Sequence, residues 1–157
     1  MKNVVIAASF FVCHEKNRRA EQKEARGFMT TITIIDEATV GAKRTWSLDF
    51  LEETVRLREL IRRRIYQEVT EYNAKKAGYF HGLVQPTEAE RTLNGYRLAP
   101  AHRLNWQTQY EKAVEAFLHH AYIVLVDDRQ IADLDTSITL TVATEVTFLK
   151  LVPLVGG

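Results

Sequence analysis

From Thr30 to Asp36 polar and apolar residues alternate and β-branched side chains dominate, so a strand with one inward face is predicted there. A turn follows over Glu37 to Lys43, with Gly41 inside it, and the alternation resumes from Arg44 to Phe50. Trp46, Leu48 and Phe50 fall on one face, and Thr45, Ser47 and Asp49 on the other, which predicts a β-hairpin with one buried side. The period then changes. Leu57, Leu60, Ile61, Ile65, Val69 and Tyr72 recur at three- and four-residue spacing and form the buried stripe of a long helix. Thr54 is its expected N-cap, Glu52 and Glu53 suit its positive end, and the stop is expected between Asn73 and Gly78.

Beyond the helix, Thr87 with Glu90 has capping-box spacing and Gly95 follows, so Pro86 to Gly95 reads as a short helix and Tyr96 to Leu104 as loop. Asn105 caps a second long helix with Trp106, Tyr110, Ala113, Val114 and Phe117 on its apolar side. The continuous run Tyr122 to Val126 reads as a central strand buried on both faces, Asp127 to Gln130 as a turn, Ile131 to Leu134 as a short strand and Glu145 to Val152 as the last strand, ended by Pro153. One sheet over one long helix is a two-layer α+β domain over residues 29–157, with a helical insertion at 73–118. Residues 1–28 are expected to be an N-terminal extension outside the folded unit. Their apolar run, Val4 to Cys13, is too short to span a bilayer, and no small-x-small cleavage site follows it.

Composition narrows the chemistry. A net charge of +1 over 157 residues argues against a dedicated nucleic-acid binder. The single cysteine, Cys13, rules out an intrachain disulfide and suits a cytoplasmic protein. His14, His81, His102, His119 and His120 include no pair at the i, i+4 spacing of a helical zinc site, so no metal is expected. Asp127, Asp128, Asp133 and Asp135 lack EF-hand spacing and fit turns. Arg56, Arg58, Arg62, Arg63 and Arg64 interleave with glutamates, which reads as a paired, solvated helix face; Arg56, Arg62 and Arg63 are kept as a candidate surface for an acidic partner. The chain closes on Pro153-Leu154-Val155-Gly156-Gly157, an extended tail without Cβ atoms at its tip and slim enough for a narrow tunnel.

The segments Tyr122 to Ile131, Ala132 to Asp135 and Glu145 to Gly157, with the hairpin and the helix before them, resemble the ubiquitin-like β-grasp family, and its sulfur-carrier branch most closely. The resemblance covers residues 30–72 and 119–157. Ala143-Thr144 stand where the family often has Gly-Asp, and the insertion is larger than the branch normally carries. The resemblance implies a protein that is no enzyme but the substrate of one. An E1-like enzyme, using ATP, would adenylate the Gly157 carboxylate, with Gly156, Val155, Leu154 and Pro153 as the segment it grips. Two fates follow: an isopeptide bond to target proteins, as in bacterial ubiquitin-like conjugation systems of the antiviral-defence kind, or a thiocarboxylate for cofactor biosynthesis. The expected partners are the E1-like enzyme, an E2-like enzyme, a deconjugating protease and the targets, with no cofactor, nucleic acid or membrane. A non-conjugated interaction module is the competing class.

Overall fold

The computed structural model describes residues 29–38, 43–75, 78–87, 89–92, 95–99 and 102–151. The extension 1–28, the Gly41 turn and the tail 152–157 lie outside the described residues. Alternation sets the first pairing: β1 (Thr30–Ala38) lies antiparallel to β2 (Arg44–Phe50), with Thr30 opposite Phe50 and Asp36 opposite Arg44. β3 (Thr54–Arg56) leads into α1 (Leu57–Lys75). Three short strands follow, β4 (Tyr79–Phe80), β5 (Glu90–Thr92) and β6 (Gly95–Arg97), and then α2 (Trp106–Leu118). The chain continues through β7 (Tyr122–Val126), β8 (Arg129–Ile131), β9 (Ser137–Thr139) and β10 (Glu145–Lys150).

The main sheet runs β2-β1-β10-β7-β8. β1 and β10 are parallel at its centre, in the register Thr33 to Glu145 through Ala38 to Lys150, and the other pairings are antiparallel. Among the described residues the architecture is α+β: a mixed sheet with two helices, plus a two-stranded pair β3-β9 and a three-stranded sheet β4-β6-β5. Ile32, Ile34, Leu48, Phe50, Val124, Val146 and Phe148 are buried together with Leu57, Leu60, Ile61 and Ile65 of α1. Tyr122 joins the second helix to the sheet: its hydroxyl donates to the Ala113 carbonyl at 2.8 Å and its ring lies 5.8 Å from that of Phe117.

Four local expectations need correction. Thr54 is no N-cap: it pairs with Thr139 in β3-β9, and the first amides of α1, on Leu57 and Arg58, donate to the carbonyls of Thr136 and Leu134 at 3.0 and 2.9 Å. Backbone therefore does the work that a capping side chain would do, and Glu59 is the acidic residue in the first turn. The insertion is only half helical. Glu90–Thr92 and Gly95–Arg97 are strands that pair with each other, the latter also with β4; the Thr87 hydroxyl accepts from Lys112 Nζ at 2.6 Å, and Gly95 adopts a φ of 119° where β6 begins. A Cβ at Gly95 would stand 2.9 Å from the Phe80 carbonyl, so the glycine also permits the close approach of β4. The strand placed at Ile131 to Leu134 starts two residues earlier, because Asp127 and Asp128, at φ 47° and 65°, form a two-residue turn that puts Arg129 opposite Val126. β7 is fully buried only on the helix side, since Ile123 and Leu125 remain half-buried on the other.

Asn105 caps α2 as expected, its side chain accepting from the Thr108 amide at 3.0 Å. Among the described residues no helix is long and apolar enough to cross a membrane.

Phe148 is completely buried at the centre of the sheet. Phe148→Ala is expected to lower unfolding free energy by about 3–5 kcal/mol in urea titrations, whereas Val142→Ala, at a site 82% exposed, should stay within about 0.5 kcal/mol of the parent.

Candidate functional site

The tail residues Pro153, Leu154, Val155, Gly156 and Gly157 lie outside the described residues, so the site is built from the strand that delivers them. β10 ends at Lys150, beside Ala38 of β1 and opposite Tyr122 of β7. Asp36, Glu37, Arg44, His81, Arg91 and Lys150 line a cleft at this end of the sheet.

The arginine run divides. Arg56 and Arg58 lie 3.9 and 3.4 Å from Asp135, Arg62 reaches Glu59 at 2.7 Å, and Arg63 spans Glu59 and Glu52 at 2.9 and 2.7 Å. Arg63 also lies over the Phe50 ring at 4.8 Å. These four form the paired surface that the interleaved glutamates suggest. The Arg62 and Arg63 bonds hold Glu59 below the ordinary carboxylate range, and the Arg63 bond does the same for Glu52. Since the folded-state values are depressed, this stabilisation is present above the unfolded value of about 4.3 and is lost as pH falls through the folded one.

Arg64 is different, and its assignment to the solvated face is wrong. It has no exposed surface. Its guanidinium bridges Asp36 of β1 at 2.7 Å and Glu68 of α1 at 2.7 Å, and lies 4.0 Å from the Phe148 ring centroid. Asp36 in turn accepts from the Trp46 indole at 3.2 Å, and Glu68 accepts from the Leu83 amide at 3.2 Å. Burial pushes the Glu68 carboxyl above its ordinary value, and the Arg64 charge pulls against that shift. The signal was present in the sequence. Positions 64 and 68 continue the stripe of 57, 60, 61 and 65, so a charged pair four residues apart sits where the helix should be apolar.

The insertion is fastened to the same place. Lys150 donates to the Gly82 carbonyl at 2.7 Å and lies 5.8 Å from the Tyr96 ring. Asn73 zips the end of α1 to Leu104, giving and receiving one bond with its backbone at 2.9 and 3.0 Å. Two clefts open where the insertion meets the sheet. One, of about 250 Å³, is walled by Trp46, Tyr72, Tyr79 and Phe80; the other, of about 200 Å³, by Arg44, His81, Arg91, Tyr96 and Lys150. Asp36, Arg44, His81 and Gly82 line both. A third hollow, of about 350 Å³, holds Arg56, Arg58, Arg62 and Tyr110, but not Arg63. Trp106 is half-buried against the edge of Tyr66 at 5.5 Å, as a residue packed on the core margin. Among the described residues no group of three His, Cys, Asp or Glu side chains could hold a metal ion.

Compared with family models, curated proteins and solved structures, the chain matches none.

Arg64→Met leaves two carboxylates buried without a counter-charge and is expected to cost about 3–5 kcal/mol at neutral pH in chemical denaturation. With the guanidinium gone, the Glu68 carboxyl, already raised by burial, loses the charge that pulls it down, so the deficit shrinks as pH falls through its raised folded value towards the unfolded value of about 4.3. Adding Asp36→Asn and Glu68→Gln should recover part of the loss at pH 7.

Proposed function

We propose that the chain is a ubiquitin-like β-grasp protein whose Gly157 carboxylate, native or freed by trimming, is activated by an E1-like enzyme and joined to target proteins. The observation that carries this reading is the strand order β2-β1-β10-β7-β8 with β1 and β10 parallel at its centre and α1 packed on one face. A sheet of that order holding one helix is what the β-grasp resemblance calls for. In this reading β10 is the rail from which Pro153-Leu154-Val155-Gly156-Gly157 is presented. Five tail residues reach at most about 17 Å, enough for an active site to act on the tip while the body stays outside.

The chemistry belongs to the partner. A carboxylate oxygen of Gly157 attacks the α-phosphate of ATP and releases pyrophosphate. A partner thiolate then displaces AMP to form a thioester, and a target lysine amine displaces the thiolate to form the amide. The insertion favours the conjugated modifier over the sulfur carrier. It adds the sheet β4-β6-β5 and helix α2, tied to the body through Lys150, Glu68 and Asn73, and so gives the tag a folded surface that a carrier of one sulfur atom does not need.

Incubation with a candidate E1-like enzyme and ATP, followed by intact-mass measurement, should reveal an adenylate or an enzyme thioester, and digestion of conjugates should yield lysine peptides carrying a Gly157 remnant. A product with one oxygen replaced by sulfur selects the carrier instead. Full cellular activity after removal of Gly156 and Gly157 would eliminate both.

A further inference from the structure

We propose that the two joined clefts beside Lys150 form a binding site for a small phosphate monoester with a planar body, of nucleoside monophosphate size. The smaller cleft gathers cations from three strands that are distant in sequence: Arg44 of β2, Arg91 of β5 and Lys150 of β10, with His81 beside them. The Arg44 and Arg91 guanidiniums are exposed and form no ion pair with a carboxylate among the described residues. Two carboxylates share the wall. Asp36 shares Arg64 with Glu68 at 2.7 Å, and among the described residues Arg44 and Arg91 remain as exposed guanidiniums beside Glu37. Two exposed forks on one wall suit a phosphate, whose oxygens guanidinium donors match two at a time. Burial, then the charges of Arg44 and Lys150, hold His81 below its ordinary value, which is the sign a positive cleft imposes on a neighbouring cation.

The larger cleft accounts for the rest of the ligand. It continues from the first through Asp36, Arg44, His81 and Gly82, and presents the half-buried Trp46 and the exposed Tyr79 as aromatic walls. Its acidic groups have partners within the protein: Asp36 and Glu68 share Arg64 at 2.7 Å, and Glu71 meets Lys75 at 3.2 Å. An anion end and an aromatic end, joined through Asp36, Arg44, His81 and Gly82, describe a ligand with a phosphate at one side and a flat ring at the other.

Calorimetric titration of the full chain at low salt with adenosine monophosphate, adenosine and inorganic phosphate tests this. Adenosine monophosphate should bind saturably with a dissociation constant below about 1 mM, inorganic phosphate about tenfold or more weakly, and adenosine not measurably. Arg91→Ala and Arg44→Gln should each weaken the monophosphate about tenfold, and Arg91→Lys should recover part of that loss, while Arg56→Ala, outside both clefts, should change nothing. No saturation by about 10 mM, or an Arg91→Ala variant that binds like the parent, overturns the site. Equal affinity for phosphate and the monophosphate overturns its aromatic half.

Discussion

A fully buried guanidinium holds the two layers of this protein in register. Arg64 projects from α1 into the sheet, where Asp36 of β1 neutralises it from one side, Glu68 from the other, and the Phe148 ring of β10 lies against its flat surface. Burying a cation is costly in itself, and an apolar side chain of similar size would serve cohesion as well. The geometry gives something cohesion does not: one rotation of α1 and one register of β1 place all three partners within reach. Helix, first strand and last strand are therefore aligned by a single group, and the insertion joins that alignment because Glu68 also receives the Leu83 amide.

The clefts follow from this arrangement. Asp36 and Glu68 share one guanidinium inside the protein, and the exposed Arg44 and Arg91 stand at the cleft above them. Lys150 adds the same sign at the end of β10 and fixes the Gly82 carbonyl, so the wall of the cleft is held by the strand that precedes the tail. A ligand seated there would lie next to the start of the segment proposed to react.

How much of this the sequence discloses depends on how local the cause is. The β1-β2 hairpin, the stripe of α1 and the Asn105 cap are legible because each rests on a period or a single side chain within one window. β3 and β9 are not, since three residues pair with three others across the whole of α1 and the insertion, and no window contains both. The segment around Thr87 misleads for the same reason: its capping-box spacing is real, but Lys112, on a different element, takes the hydroxyl. Arg64 sits between these cases. Its position in the apolar stripe is visible, yet in a run of arginines composition favours the surface, and only the arrival of Asp36 from another strand makes burial tolerable. The cationic cleft belongs to the illegible class altogether, since Arg44, Arg91 and Lys150 meet only through tertiary structure.

The parallel contact between β1 and β10 carries a consequence for biogenesis. The first strand of the sheet can complete its hydrogen bonding on one side only after nearly the whole described chain has left the ribosome. Until then β1 is an open edge, rich in β-branched residues and able to recruit another chain. Nascent chains held short of β10 should therefore depend on chaperones, and the length of that wait, more than the depth of the native minimum, would set how much of the protein reaches its folded state.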